Sequence, residues 1–378
     1  MEEEYPTIPD LKILKKLKQT KSSVVWLGKE TSQEIFNNTQ SQYLIIKGIS
    51  KSSLLGNSTD FEMLKRERNF LEENSKILSK DSPFPKFFRA YKDDNYLYMI
   101  ITFIEGLDLS TLILDKIFRF NKFESVEDFK IKKKIFLHLV AQAINLISLL
   151  HDRRIIYRDF KMNNLLIDQK LKLNLVDFGT IEKINSADDR TSTICGTFHI
   201  MAPEIFKVKY GEMSSYNSKV DVYSLGVFVY ELFCSYPPFD YLKENDETSM
   251  KKYAELVCQG LSDDFNFGQS FYKKIDVDEN FQNSLYKDSS KEIECFLGNV
   301  INLIKLCMDL NPDQRPSVEL LKNHHLFEDK FEFYFDSDKI NFLNDYVAMI
   351  VKYIDFNGEF VECYERLEKV GDMFSKFF

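Results

Sequence analysis

Metal-binding and disulfide patterns are scarce in this sequence. No two of its six cysteines (195, 234, 258, 295, 307 and 363) form a CxxC pair, and of its five histidines only His324 and His325 adjoin. This spacing excludes a disulfide framework and a zinc-type ligand set, and makes the cysteines reduced thiols, as expected of a cytoplasmic protein. Basic charge is also short: 50 Lys and Arg face 59 Asp and Glu, for a net charge of −9. A nucleic-acid footprint needs a basic surface, so no nucleic acid is expected as a partner, whereas basic peptides are compatible. No apolar run approaches the ~18 residues of a bilayer-crossing helix, and no membrane span is expected. The opening MEEEYP is acidic with no apolar run behind it, so it does not read as a signal peptide. Neither end carries a lipidation signal.

Apolar residues make up 44 % of the 378, ample for a core in two domains or one large two-lobed domain. The most informative stretch is residues 157–204. It holds Tyr157-Arg158-Asp159 followed by Lys161 and Asn164, then Asp177-Phe178-Gly179, then Met201-Ala202-Pro203-Glu204. Any one of these tripeptides alone reads as a turn or a surface acid. Their order and spacing together resemble the catalytic half of the eukaryotic protein-kinase signature. The resemblance implies phosphoryl transfer from ATP, which needs nucleophile and γ-phosphate held in line and the phosphate charge neutralised. Asp159 would accept the proton of the substrate hydroxyl, and Lys161 would supply a cation near the transferring group. Asn164 and Asp177 are hard oxygen ligands of the kind that hold Mg²⁺.

Upstream, residues 11–28 read as strand–turn–strand. In a kinase this is the Gly-rich loop over the phosphates, but here Lys18, Thr20 and Ser23 stand at the three glycine positions, ahead of Val25. Glycine allows backbone N–H groups to approach phosphates closely; without it the loop is expected to be stiffer and ATP more weakly held. Tyr43-Leu44-Ile45-Ile46-Lys47 is an apolar strand ending in a lysine that would pair with the α- and β-phosphates. Residues 60–76 have helical spacing through Phe61, Leu64, Phe70 and Leu71, with Asp60 as N-cap. Glu67 on that helix is the expected partner of Lys47, with Glu62 and Glu72 as rivals. Ile45 takes the place of a small residue above the adenine ring. Residues 97–101 form a buried-type strand, and 102–106 form the connector between lobes. By resemblance, Thr102 and Ile104 would bond adenine through their backbone, Ile101 would be gatekeeper, and Val25 and Leu166 would line the nucleotide site. Asp108 either faces the ribose or a basic substrate residue, or caps the helix that follows it.

Residues 127–151 form a long amphipathic helix. After Gly179 the chain is polar, and Thr193 is the expected activation-loop phosphosite, with Thr191 and Ser192 as rivals and Arg158 as phosphate sensor. Residues 218–233 are apolar on nearly all faces, which marks a buried helix. There Asp221 would hold the catalytic-loop backbone, and Arg315 would pair with Glu204; these are structural roles. Residues 245–291 read as an insertion with short helices. Residues 331–378 hold ten acids against five bases and two runs of helical spacing, ending in Phe374-Ser375-Lys376-Phe377-Phe378.

The Tyr before Arg158-Asp159, the Thr-x-Cys-Gly-Thr run at 193–197 and Tyr-Pro-Pro-Phe at 236–239 resemble the serine/threonine (AGC) group that contains the cyclic-nucleotide-dependent kinases. That group implies basic substrate sites, with Glu231 reading an arginine, weakened here because Asn163 and His199 sit where further acids are usual. No cyclic-nucleotide-binding domain is present, so regulation by that ligand in cis is not expected. The expected fold class is α+β: a bilobal kinase fold with an N-terminal extension (1–10), a β-rich N-lobe (11–105), a helical C-lobe (106–328) and an acidic helical C-terminal tail (329–378). That tail is a candidate surface for a partner. The rival reading is a kinase-like scaffold with weak or no ATP turnover, motivated by the missing glycines and Ile45.

Overall fold

The computed structural model describes residues 5–20, 23–31, 43–55, 58–77, 82–114, 120–123, 125–168, 171–186, 189–239, 247–260, 276–277 and 290–327. The acidic tail, including its Phe-x-x-Phe ending, lies outside the described residues, as does most of the stretch between 261 and 289.

The N-terminal part is a five-stranded antiparallel sheet in the order β1-β2-β3-β5-β4, built from β1 (Leu11–Gln19), β2 (Ser23–Glu30), β3 (Tyr43–Ser50), β4 (Phe87–Lys92) and β5 (Tyr96–Thr102). Side chains alternate across a strand with a period of two. In β3 this sends Leu44 and Ile46 into a small core with Trp26 and Tyr98, and leaves Ile45 and Lys47 on the opposite face. Gly48 is required by that packing, since a Cβ there would sit 2.5 Å from the Trp26 ring.

A short helix α1 (Lys51–Leu55) leads to α2 (Ser58–Ile77), which packs on β4. It begins two residues before the expected cap, so Asp60 lies inside its first turn. Phe61, expected on the buried stripe, is 46 % exposed; the buried face is Glu67, Phe70, Leu71 and Asn74. Those four are spaced i, i+3, i+4, i+7, the period of one helix face.

The C-terminal part is helical. A two-residue strand β6 (Leu107–Asp108) and helix α3 (Leu109–Leu114) lead through β7 (Lys122–Phe123) to α4 (Val126–His151). Ser125 caps α4, accepting from the Asp128 N–H at 3.0 Å. Among the described residues α4 is the one helix long and apolar enough to cross a bilayer, yet 78 % of its apolar window is buried in this lobe, as in a core helix. Short strands β8 (Ile155–Ile156), β9 (Leu165–Ile167), β10 (Leu173–Leu175) and β11 (Glu182–Lys183) follow, pairing as β10-β9-β6 and β11-β8.

Then come α5 (Pro203–Lys209), α6 (Lys219–Cys234), α7 (Glu247–Gln259), a strand β12 (Asp276–Val277) parallel to β7, α8 (Ser290–Cys307) and α9 (Val318–Leu321). Helix α6 is buried on almost every side, and α8 packs against it where Gly226 admits Cys307 and Met308. Helix α7 falls in the stretch expected to be an insertion. Its Tyr253, Ala254 and Val257 are buried against the lobe, so at least this helix is part of the core.

Candidate active site

A cleft of about 500 Å³ opens under the sheet and collects Lys18, Val25, Ile45, Lys47, Ile101, Thr102, Ile104, Asp108, Asn164, Leu166 and Asp177 among its walls. The strand period delivers Lys47. Its Nζ lies 2.6 Å from Glu67 Oε2 and 3.3 Å from Asp177 Oδ1. Burial alone would lower the ammonium's pKa, but the carboxylates of Asp177 and Glu67 outweigh it and hold the pKa above its ordinary value. Lys47 in turn depresses the Asp177 pKa and keeps that carboxylate ionised, while burial pushes the Glu67 carboxyl up. The rival acids face elsewhere: Glu62 pairs with Lys65, and Glu72 with Arg68 and Lys76.

Glu67 also accepts from the Phe178 N–H at 3.4 Å. The Phe178 ring is fully buried against Phe70, Phe84 and Tyr157, with centroids 4.5, 5.5 and 5.8 Å away. That packing clamps Asp177 toward the cleft in a left-handed conformation, φ +65°. A non-glycine residue in that region is strained and persists only where its surroundings over-determine it.

Arg158, at φ +70°, is another such residue. Its conformation is imposed by Asp221, whose fully buried carboxylate accepts the Tyr157 N–H at 2.8 Å and the Arg158 N–H at 2.7 Å. His151, at the end of α4, reaches the same carboxylate at 2.9 Å. The Tyr157 hydroxyl donates to the carbonyls of Val176 and Asp177, both at 2.8 Å, tying the two polar segments together.

Asp159 is held by three donors. Lys161 Nζ and Asn164 Nδ2 reach Oδ2 at 2.8 and 2.9 Å, and the Thr197 hydroxyl reaches Oδ1 at 2.6 Å. Thr197 is a site residue that the sequence reading missed. Its signal is Gly196, which has φ +100° and whose Cβ would stand 2.3 Å from the Arg158 carbonyl. Only glycine lets the activation segment lie on the catalytic loop and bring Thr197 in.

The glycine-free hairpin is closed on itself. The Thr20 N–H donates to the Ser23 carbonyl at 2.8 Å, and the Ser23 N–H donates to the Thr20 hydroxyl at 3.1 Å. Lys18 faces the cleft; burial pushes the Asp108 carboxyl up, and the Lys18 charge offsets only part of that. Asp108 does cap α3, accepting from the Ser110 N–H and hydroxyl at 2.8 and 2.5 Å, while also lining the cleft. Asn163 is bonded to the same Ser110 hydroxyl.

Glu231 lies 3.7 Å from His199. Burial raises its carboxyl to about 8 and lowers the imidazole to about 4, so the pair is neutral at pH 7. Glu204 and Arg315 form a buried two-point bridge at 2.6 and 2.8 Å, away from the cleft. Thr193 is not brought to Arg158 directly. Its carbonyl accepts from the Tyr216 hydroxyl, which lies 3.4 Å from the Arg158 guanidinium. Among the described residues no group of three or more His, Cys, Asp or Glu stands ready for a metal.

The protein kinase domain family matches residues 28–327. The chain belongs to the protein kinase family. This kinase domain is 28 % identical over 292 residues to calcium-dependent protein kinase 5 of Plasmodium berghei, a match covering 75 % of this chain and 43 % of that protein. It is 30 % identical over 181 residues to the human cAMP-dependent protein kinase catalytic subunit PRKX, covering 48 % of this chain and 45 % of the relative. It is 35 % identical over 180 residues to the Drosophila melanogaster cAMP-dependent protein kinase catalytic subunit 3, covering 47 % and 26 %. In each case the match spans less than half the relative's own length. The β-rich N-terminal part and helical C-terminal part are the α+β protein-kinase fold, and the similarity is to the serine/threonine, AGC-like kinases.

Proposed function

We propose that the chain is an ATP- and Mg²⁺-dependent serine/threonine protein kinase acting in the cytoplasm. The single observation behind this reading is a Lys47–Glu67–Asp177 set in one cleft, joined through Asn164 of the cleft wall to an Asp159 braced by three donors. Lys47 would bind the α- and β-phosphates, with Glu67 fixing its direction. Asn164 spends its amide nitrogen on Asp159, which leaves its oxygen, with the ionised Asp177 carboxylate, as a hard donor set that fits Mg²⁺. An ion held there would supply positive charge to offset that of the phosphates. Asp159 orients the substrate hydroxyl and takes its proton, and Lys161 offsets charge on the transferring group. The thiols at Cys195, Cys258, Cys295 and Cys307 support a reducing compartment.

A basic substrate peptide would draw on Asp108 and on Glu231, which is neutral at pH 7 and must ionise to meet an arginine, while Asn163 and His199 add no charge, so the preference is weaker than in a fully acidic site. The alternative, a scaffold with little ATP turnover, draws on the self-closed hairpin, where the Thr20 and Ser23 amides are bonded within the turn. Transfer of γ-phosphate to a basic peptide separates the two readings. Asp159→Asn should lower kcat about 10²–10⁴-fold with ATP affinity retained; equal rates in both proteins would defeat the enzyme reading. Mg-ATP at about 100 times its Kd should stabilise the fold by ~2.7 kcal/mol, and a scaffold would show no such shift.

A further inference from the structure

The activation segment already carries a negative charge where a phosphate was expected to supply one. Glu182 follows Gly179 by three residues and sits on β11, opposite Ile156 of β8. Its Oε2 lies 2.9 Å from Arg66 Nη1 and 3.2 Å from Arg158 Nη2. Arg66 is the neighbour of Glu67 on α2, and Arg158 is the neighbour of Asp159. The Arg158 side chain is 1 % exposed, and a guanidinium that deep requires a counter-charge. The remaining donors of Arg158 go to the carbonyls of Thr180 and Ile181 and to the Tyr216 hydroxyl. One turn-pair further along the same face of α2, Glu73 reaches Lys183, the residue after Glu182, at 3.0 Å. Helix α2 is therefore tied to the activation segment at two adjacent residues, and the first tie continues to the catalytic loop.

We propose that Glu182 is a positioning residue that links Arg66 to Arg158 and so holds α2 against the catalytic loop without phosphorylation of Thr193. Two guanidinium groups brought this close repel one another unless an anion stands between them, and Glu182 is that anion. Because Glu67 rides on α2, loss of the link frees the helix to swing and takes Glu67 away from Lys47. The role of Glu182 in transfer rests on the kinase reading above; the mechanical link does not.

Two measurements on the full chain test it. The first uses protein treated with phosphatase and shown by intact mass to carry no phosphate. It should retain the untreated protein's kcat within about twofold, whereas Glu182→Gln, equal in size but uncharged, should lose at least about tenfold in kcat with the peptide KM little changed; Glu182→Asp should recover part of that loss. Loss of activity on dephosphorylation, or full activity in Glu182→Gln, overturns the proposal. The second is hydrogen–deuterium exchange of α2, read without any turnover. Glu182→Gln and Arg66→Met should each speed exchange over residues 63–74 by at least about tenfold, and the double variant should do no more than either alone. Unchanged α2 exchange, or additive effects, overturns the link even if the chain proves inert toward ATP. An inert wild type with the exchange effect present would sink the enzyme reading and leave the link standing.

Discussion

At Lys18, a residue with an exposed ammonium stands where a kinase resemblance calls for glycine. The Thr20 and Ser23 amides beyond it donate to the Ser23 carbonyl and the Thr20 hydroxyl, so on the kinase reading side-chain cations, Lys18 and Lys47, would meet the phosphates instead. A charge a few Å from a phosphate at a partly wet site is worth a modest gain. Lys18→Gln should weaken ATP roughly 3–10-fold and leave adenosine unchanged, a contrast that calorimetry reads directly.

Glu231 makes a second residue-scale prediction. Its carboxyl is neutral below about 8 and charged above, whereas His199 titrates only near 4. In the unfolded chain Glu231 ionises at an ordinary acidic pKa, so its contribution favours the fold at low pH and is lost as pH rises toward 8. A substrate arginine selects the ionised form. The KM of an arginine peptide, relative to its alanine version, should therefore fall as pH rises from about 6 to about 8 and level off above that. A flat ratio across this range would rule out Glu231 as the arginine's partner.

At the scale of elements, α6 is buried on almost every side. Its Gly226 faces α8 so closely that a Cβ would stand 2.6 Å from Met308 and 2.7 Å from Cys307. Gly226→Ala should cost about 1–3 kcal/mol, the usual price of overpacking, read as a lower urea midpoint at constant slope. The burial of this helix was readable in the sequence, because its apolar residues cover every face. Lys47 on β3 and the polar residues of 157–179 were readable too, as charged side chains at fixed spacing within apolar runs. Local pattern did not reach the start of α2 or the exposure of Phe61, since which turn of a helix overhangs its sheet depends on what packs beneath. Nor did it reach Glu182 or Thr197. Each is a single polar residue in a polar loop, and its partners lie far off in sequence: Arg66 is 116 positions from Glu182, and Asp159 is 38 from Thr197.

On the scale of the whole molecule, the Glu204–Arg315 bridge fastens the end of the activation segment to the loop ahead of α9. Arg315 also donates to the carbonyls of Asp309 and Lys219 and lies over the Tyr223 ring at 5.0 Å. Removing one partner strands the other charge in the interior. Arg315→Met should therefore destabilise the fold by about 3–5 kcal/mol, measured by denaturant unfolding, and any loss of activity should follow the loss of folded protein. The two lobes differ in how they are held: the helical one by burial on all sides, the sheet by its hairpins and the ties of α2.

The cross-bonded Thr20 and Ser23 carry a kinetic consequence. A canopy braced at its own edge has no slack with which to drape over a bound nucleotide. On the proposed kinase reading, spent ADP should depart at a pace set by its own contacts, with the first turnover no faster than those that follow.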